Sequence, residues 1–119
     1  MSIIPQNDFE KALVYGGAKK PSESMVWITE NFVMTKEVDK ALVVCDKALD
    51  VTLFDDVQAN GTVHQIRDIK KTANTNNITV KVPTGWYLNG VLNGTLTMNT
   101  AGAKVDCIPN GAKKEWWVG

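Results

Sequence analysis

Beyond residue 34, hydrophobic and polar residues alternate in short runs of strand length. Leu49, Val51 and Leu53 alternate with Asp50 and Thr52, a pattern that predicts a strand with one buried and one solvent-facing side. Similar apolar or alternating runs predict further strands near residues 41–45, 63–69, 78–82, 96–98, 105–107 and 115–118. The pattern therefore predicts an all-β unit.

Turn residues separate these strands at regular intervals. The strongest hairpin signals are Asn60-Gly61, Asn89-Gly90 and Asn93-Gly94, because Asn and Gly both accept positive φ. Pro109-Asn110-Gly111 predicts a further tight turn. This spacing predicts a small antiparallel β-sandwich, jelly-roll-like, with a small flattened barrel as the alternative. No internal repeat has the period of a solenoid.

A short helix is predicted near the N-terminus. Asn7 or Asp8 can cap it, Phe9 and Leu13 lie at helical spacing, and Gly16 can end it. A helix of about two turns is not stable alone in water. It must therefore dock on its own domain or on a neighbouring chain.

A different composition follows the predicted helix. The next nine residues read Gly-Gly-Ala-Lys-Lys-Pro-Ser-Glu-Ser, which is typical of a linker. The stretch 25–33 is apolar and contains Trp27 and Phe32, so it predicts a strand. We therefore divide the chain into an N-terminal arm for attachment, residues 1–33, and a β-sandwich module, residues 34–119.

The charges of the chain balance, with 13 basic and 13 acidic residues among 119. A nucleic-acid partner would require a basic surplus, and an electrostatic membrane anchor would require one too. Zero net charge suits a protein that packs against copies of itself or against partners. The N-terminus lacks the basic and apolar regions of an export signal, and no apolar run approaches the ~20 residues of a membrane helix.

The single histidine and the two cysteines are the first candidates for chemistry. His64 lies in an alternating strand beside polar residues, so we expect it to face solvent. Cys45 and Cys107 lie in apolar strands without a basic residue to activate either thiol, so we expect small core residues. We expect free thiols, as in cytosolic proteins, since a disulfide would require neighbouring strands.

Neither a metal site nor a cofactor site is predicted. One histidine and two distant cysteines do not match the ligand spacing of structural zinc. Asp46, Asp50 and the pair Asp55-Asp56 lie in or beside predicted turns, where aspartate is common for conformational reasons. No calcium loop and no glycine-rich phosphate loop is present. The residues therefore predict a protein that is not an enzyme and has no cofactor.

Two aromatic pairs, Trp86-Tyr87 and Trp116-Trp117, are the strongest candidates for binding. Adjacent residues on a strand point to opposite faces, so one member of each pair can fill the core while the other faces outward. An exposed aromatic ring can stack on a sugar or pack into a neighbouring subunit. Core or subunit contact is favoured over sugar binding, since a small sandwich needs large side chains in both sheets.

The strands and turns after residue 38 follow a characteristic order. Its segments read Leu49-Asp-Val-Thr-Leu-Phe-Asp-Asp-Val-Gln-Ala-Asn-Gly, Val63-His-Gln-Ile-Arg-Asp-Ile-Lys-Lys, Asn74-Thr-Asn-Asn-Ile-Thr-Val, Leu88-Asn-Gly and Trp116-Trp-Val-Gly. This order resembles a β-sandwich module of tailed-bacteriophage virion proteins, including tail fibres, whiskers, head fibres and capsid decoration proteins. Two segments depart from that module. Arg67-Asp68-Ile69 stands where lysine is more usual, and Lys-Glu replaces glycine before the terminal tryptophans.

The resemblance implies a homotrimeric virion protein without catalytic residues. A separate chain with an arm and one module fits a capsid decoration or head-fibre protein, made in the cytoplasm of the bacterial host. In that case residues 2–33 attach the protein to the major capsid protein or another virion protein. Phe9, Leu13, Trp27 and Phe32 are then the candidates for insertion into the neighbour.

Two other functions compete with this one. A tail fibre, whisker or collar module would bind host surface polysaccharide through Trp86, Tyr87, Trp116 or Trp117. A small hydrolase or lysis enzyme is a third, disfavoured alternative. Neither a nucleic acid nor a membrane is an expected partner.

Overall fold

The computed structural model of the protein describes residues 24–44 and 46–119. Over these residues the chain forms eleven strands and one 3₁₀ turn at Gly111–Lys113. The strands are β1 (Met25–Ile28), β2 (Phe32–Val33), β3 (Lys40–Val43), β4 (Leu49–Thr52), β5 (His64–Asp68), β6 (Ile78–Lys81), β7 (Tyr87–Leu88), β8 (Val91–Leu92), β9 (Thr95–Met98), β10 (Lys104–Asn110) and β11 (Glu115–Val118).

The strands form two sheets that pack as the layers of a sandwich. The larger sheet has the order β1-β3-β5-β10-β11-β7-β8, and the smaller has the order β2-β4-β6-β9. Side chains from both sheets meet in one hydrophobic cluster, to which Trp86, Trp116, Met34, Leu53 and Ile66 contribute. The predicted all-β, sandwich-like fold is confirmed.

Both sheets are mixed, so the predicted purely antiparallel arrangement is wrong. Strands β1, β3 and β5 are parallel to one another, and so are β2, β4 and β6. The alternation of apolar and polar residues determines which face of a strand is buried. It carries no information on the direction of the neighbouring strand.

The first six strands wind between the two sheets. Each connection from β1 to β6 crosses from one sheet to the other. As a result, β1, β3 and β5 are neighbours in the larger sheet, and β2, β4 and β6 are neighbours in the smaller. Successive turns of this winding differ in length. Met25 and its partner Lys40 are 15 residues apart in sequence, whereas Lys40 and its partner Gln65 are 25 residues apart. Unequal turns explain why the winding leaves no fixed period in the sequence.

Antiparallel strands close the other end of the winding. Strand β9 pairs with β6, β10 pairs with β5, and β11 pairs with β10. The hairpin β7–β8 then joins the sheet beside β11. Strands β1 and β2 are left as the edge strands of the two sheets at the beginning of the winding.

The sheets include residues that the sequence prediction assigned to the arm. The single strand predicted over residues 25–33 is two strands, β1 and β2, which belong to different sheets. The short segment between them carries the chain from one layer to the other. The predicted helix, with Phe9 and Leu13, lies outside the described residues.

The hairpin predicted at Asn89-Gly90 is confirmed. Leu88 pairs with Val91, which leaves a two-residue loop. Asn89 has φ 49° and Gly90 has φ 85°, as a type I′ turn requires. This turn positions Tyr87 and Leu92 opposite each other at the edge of the larger sheet.

Candidate functional site

The two aromatic pairs alternate as the sequence predicts. Trp86 and Trp116 are buried, at 2% and 0% exposure, whereas Tyr87 and Trp117 are 40% and 51% exposed. Trp86 and Trp116 therefore belong to the core. Tyr87 and Trp117 are the members of the pairs that a ligand or a partner can reach.

Tyr87 and Trp117 belong to a larger apolar surface on the outer face of the seven-stranded sheet. Ile108 pairs with Trp117, and Val63 directly precedes His64, which pairs with Cys107 next to Ile108. Tyr87 pairs with Leu92 in the adjoining hairpin. All five side chains are at least one-third exposed. We call Val63, Ile108, Trp117, Tyr87 and Leu92 the apolar face.

The outer face of the four-stranded sheet is polar by contrast. Two rows of paired residues cross it, and threonine is the commonest residue in both. The rows are Asp50, Thr79 and Thr97, and Val33, Thr52, Lys81 and Thr95. An ion pair of 2.8 Å joins Asp50 to Lys81. The apolar face, beside β10, β11 and the β7–β8 hairpin, is therefore the candidate interaction surface.

The two described candidates from the predicted arm have different environments. Trp27, on the edge strand β1, is 66% exposed. Phe32, on β2, is half-buried and packs against the core. Of the two, Trp27 is the residue that is free to contact another molecule.

His64 is buried, so the prediction that it faces solvent is wrong. Its Nδ1 atom donates a hydrogen bond of 2.7 Å to the backbone carbonyl of Val38. Its Nε2 atom lies 2.9 Å from the hydroxyl oxygen of Thr62, which donates to it when the ring is neutral. His64 points inward because it shares the buried face of β5 with Ile66.

The surroundings of His64 indicate a structural role. Its ring packs edge-to-face on Phe54 and Trp116, with centroid separations of 5.0 and 5.9 Å. The Nε1 atom of Trp116 donates to the backbone carbonyl of Phe54 at 3.3 Å. A backbone carbonyl, and not a carboxylate, orients the His64 ring. The histidine therefore links three parts of the core through packing and hydrogen bonds.

Three of the aspartates in or beside the predicted turns, Asp46, Asp50 and Asp56, have local partners. Asp46 and Asp50 each form an ion pair of 2.8 Å with a lysine. Asp56 accepts a hydrogen bond of 2.9 Å from the backbone N–H of Gln58, which stabilises a turn. Within residues 24–44 and 46–119, no group of three or more His, Cys, Asp or Glu side chains is placed to hold a metal ion.

A groove of about 560 Å³ opens beside β2 and β4. Met34, Leu53 and Phe54 form its apolar lining, and an adjoining hollow of about 480 Å³ extends to His64. Lys36 and Glu37 border both spaces. No residue of the apolar face lines either space, so the groove is separate from that face.

Asp68 is a buried carboxylate that the sequence prediction missed. Its oxygens accept hydrogen bonds of 2.9–3.0 Å from the backbone N–H groups of Lys71, Ala73 and Gly102. Burial raises the pKa of Asp68. Hydrogen bonds from these amides and from the amide of Thr72 lower it by more, so the net pKa is below its ordinary value. Asp68 thus joins two loops at the end of β5.

Cys107 is buried with a free thiol, as predicted. Burial, followed by the negative charge of Asp106, raises its pKa to about 12. Such a thiol is protonated at neutral pH and inert as a nucleophile. Cys45 lies outside the described residues.

We expect the Cys107 thiol to resist labelling in the native protein. In a Cys45→Ser variant at pH 8, it should react with a thiol-disulfide reagent at least about a hundredfold more slowly than free cysteine, because burial keeps it protonated and inaccessible. The measurement is the absorbance of the released chromophore over time. The unfolded variant should release one equivalent at once, and equally rapid release from the folded variant would contradict the expectation.

No model of a protein family matches this chain, and no curated protein matches it significantly. Across the described residues, the structure contains no helix with the length and hydrophobicity needed to span a bilayer.

Proposed function

We propose that the protein is a structural component of a tailed-bacteriophage particle, as a capsid decoration or head-fibre protein. The observation that carries the proposal is the apolar face. Ile108 and Trp117 are an exposed pair in one sheet, and Val63 is exposed beside β5. Apolar patches of this kind are typical of surfaces covered by a partner. The sequence resemblance described above supports the same class of protein.

Attachment to the particle is assigned to the N-terminal arm. Phe9 and Leu13 supply large apolar side chains within the arm, whereas Trp27 belongs to the edge strand β1 of the larger sheet. Insertion of large apolar side chains into a neighbour is a common source of binding energy. The neighbour would be the major capsid protein or another virion protein.

Copies of the chain would associate through the apolar face. The resemblance implies a homotrimer, and the zero net charge of the chain means that copies are not kept apart by strong repulsion. Covering Tyr87, Ile108 and Trp117 at a subunit contact would remove apolar surface from water. A location in the virion follows from this proposal.

Deletion of residues 1–23 should abolish attachment and leave the sandwich folded. The described strands and core begin at Met25, so their contacts are retained. Thermal unfolding followed by circular dichroism tests the fold, and co-sedimentation with particles lacking the protein tests attachment. Unfolding of the truncated chain, or its continued attachment, would contradict the role of the arm.

Electron microscopy of intact particles tests the proposal directly. Copies at threefold or quasi-threefold positions of the capsid would support a decoration protein. Copies at the tail tip or collar would contradict that placement. Particles that never contain the chain would overturn the proposed function altogether.

A receptor-binding module is the second candidate, and the placement of two aromatic residues favours it. Tyr87 pairs with Glu115 across neighbouring strands, and Trp117 lies two residues along from Glu115. Aromatic rings beside a carboxylate suit a sugar, which offers an apolar face and hydroxyl donors. Glycan-array binding that is lost in Trp117→Ala would favour this function, and absence of binding would count against it.

A further inference from the structure

Among residues 24–44 and 46–119, the edge strand β1 has no strand paired along its outer side. The carbonyls of Ser24 and Ile28 accept hydrogen bonds of 2.9–3.0 Å from β3 and from the residue that follows it. Backbone groups alternate in direction along a strand. The N–H and C=O groups of Met25 and Trp27 therefore point away from β3, and no strand among the described residues pairs with them.

The smaller sheet ends at the same side of the sandwich. There the N–H of Met34 donates to the carbonyl of Thr52, so the backbone of Val33, one residue earlier, points away from β4. The winding described above places β2 in one layer and β1 in the other. Both layers thus terminate together in a pair of open edges.

Strand β1 lacks the features that protect natural edge strands. Its sequence Met-Val-Trp-Ile has no charge and no proline, and two of its side chains, Met25 and Trp27, are more than half exposed. The far edges differ, because β8 has two residues between Asn-Gly turns and the exposed residues of β9 are threonines. Uncharged apolar edges are sites for addition of another strand.

We infer that β1 pairs antiparallel with β1 of a second copy of this chain about a twofold axis. The axis is normal to the sheets and passes between the Val26 residues of the two copies, so that Met25 of each copy pairs with Trp27 of the other. Every outward N–H and C=O group of both residues then has a partner. The same axis brings β2 toward β2 of the second copy. A single added strand would cover only one of the two edges, which favours a second copy as the occupant.

This contact goes beyond the proposed function and does not depend on it. It also uses a different surface from the apolar face. A twofold contact through β1 and a threefold contact through another surface are compatible, because the first then joins two trimers. In either case, loss of the β1 contact should halve the mass of the assembly.

Trp27→Pro is the sharpest test, because it removes the outward N–H and leaves the bonds to β3. One donor is lost from each copy, so the dissociation constant should rise by about thirtyfold. Light scattering over a concentration series should then show half the wild-type mass. Circular dichroism and thermal unfolding establish that the variant is folded.

A charge exchange at the same residue provides a test that retains the backbone donor. Side chains at position 27 of the two copies are diagonal neighbours, within reach of long side chains. Trp27→Lys and Trp27→Glu should each halve the mass, and mixing the two variants should restore it. The matched control is Thr97→Lys with Thr97→Glu, at an exposed residue on the far edge strand β9 and outside the apolar face, where the mass should not change.

Several results would overturn the inference. A monomeric wild-type protein would do so, as would folded Trp27 variants with unchanged mass. Open-ended growth would exclude a closed twofold contact. If residues 1–23 of the same chain occupied the edge, deleting them would increase the mass. A trimer whose mass is unchanged by Trp27→Pro would exclude the β1 contact but would not contradict the proposed virion function.

Discussion

Replacement of Asp68 by alanine is expected to lower the free energy of unfolding by about 4 kcal/mol. The side chain is 5% exposed, and its two oxygens accept hydrogen bonds from Lys71, Ala73 and Gly102. Without the carboxylate, these backbone donors lose their acceptor in a buried position. Urea unfolding at neutral pH would measure the loss.

An Asp68→Asn variant separates the charge from the shape of the side chain. Asparagine retains one acceptor oxygen but places an NH₂ group against backbone donors, so the loss should be about 2 kcal/mol. Equal stability of Asp68→Asn and the wild type would contradict a role for the second oxygen.

The same pair of proteins should differ in their response to acid. The pKa of Asp68 is lowered in the folded protein, because the amide hydrogen bonds outweigh the effect of burial. The stability that ionised Asp68 contributes is therefore complete above its pKa in the unfolded chain, about 3.9, and is lost as the pH falls through its pKa in the folded protein. Below pH 4, Asp68→Asn should lose less stability than the wild type, and parallel curves would contradict the assignment.

Gly111→Ala is expected to lower the free energy of unfolding by about 3 kcal/mol. A Cβ atom at this position would collide with the backbone oxygen of Asp56 and would lie 2.6 Å from the carbonyl carbon and oxygen of Val57. Backbone atoms cannot rotate away as a side chain can. The Gly111 N–H also donates to the carbonyl of Ala59 at 2.8 Å, so the collision would strain the loop at its anchor.

Gly61→Ala is the matched control for this steric effect. Gly61 has φ 77° with open space around the position of a Cβ atom, so alanine costs only the backbone conformation, about 1 kcal/mol. Thermal and urea unfolding of the two variants would separate collision from conformational cost. If Gly111→Ala lost no more stability than Gly61→Ala, the close contact with residues 56 and 57 would be refuted.

The longer strands were predictable because each carries its own pattern of burial. Leu49 and Val51 are buried while Asp50 and Thr52 are half-buried, and the predicted terminal strand coincides with β11. The Asn89-Gly90 turn was predictable for a similar reason, since positive φ is a property of the residues in the turn. Local features of this kind need no knowledge of the rest of the chain.

Features that depend on distant residues were not predictable. His64 was expected in solvent because its neighbours are polar, but the inner face of β5 meets Val38 and Thr62, which satisfy both ring nitrogens. Likewise, Ile108 resembles an ordinary strand residue until the register pairs it with Trp117. Cross-strand register and strand direction arise from packing of the whole sandwich.

The position of β5 has a consequence for how the protein is made. This central strand lies between β3, which precedes it, and β10, which is near the C-terminus. A nascent chain on the ribosome can bring β3 to β5 early, but the other side of β5 must wait until β10 emerges. Completion of the larger sheet is therefore a late event, after nearly all of the chain has been synthesised, and the half-built sheet is exposed to aggregation until then.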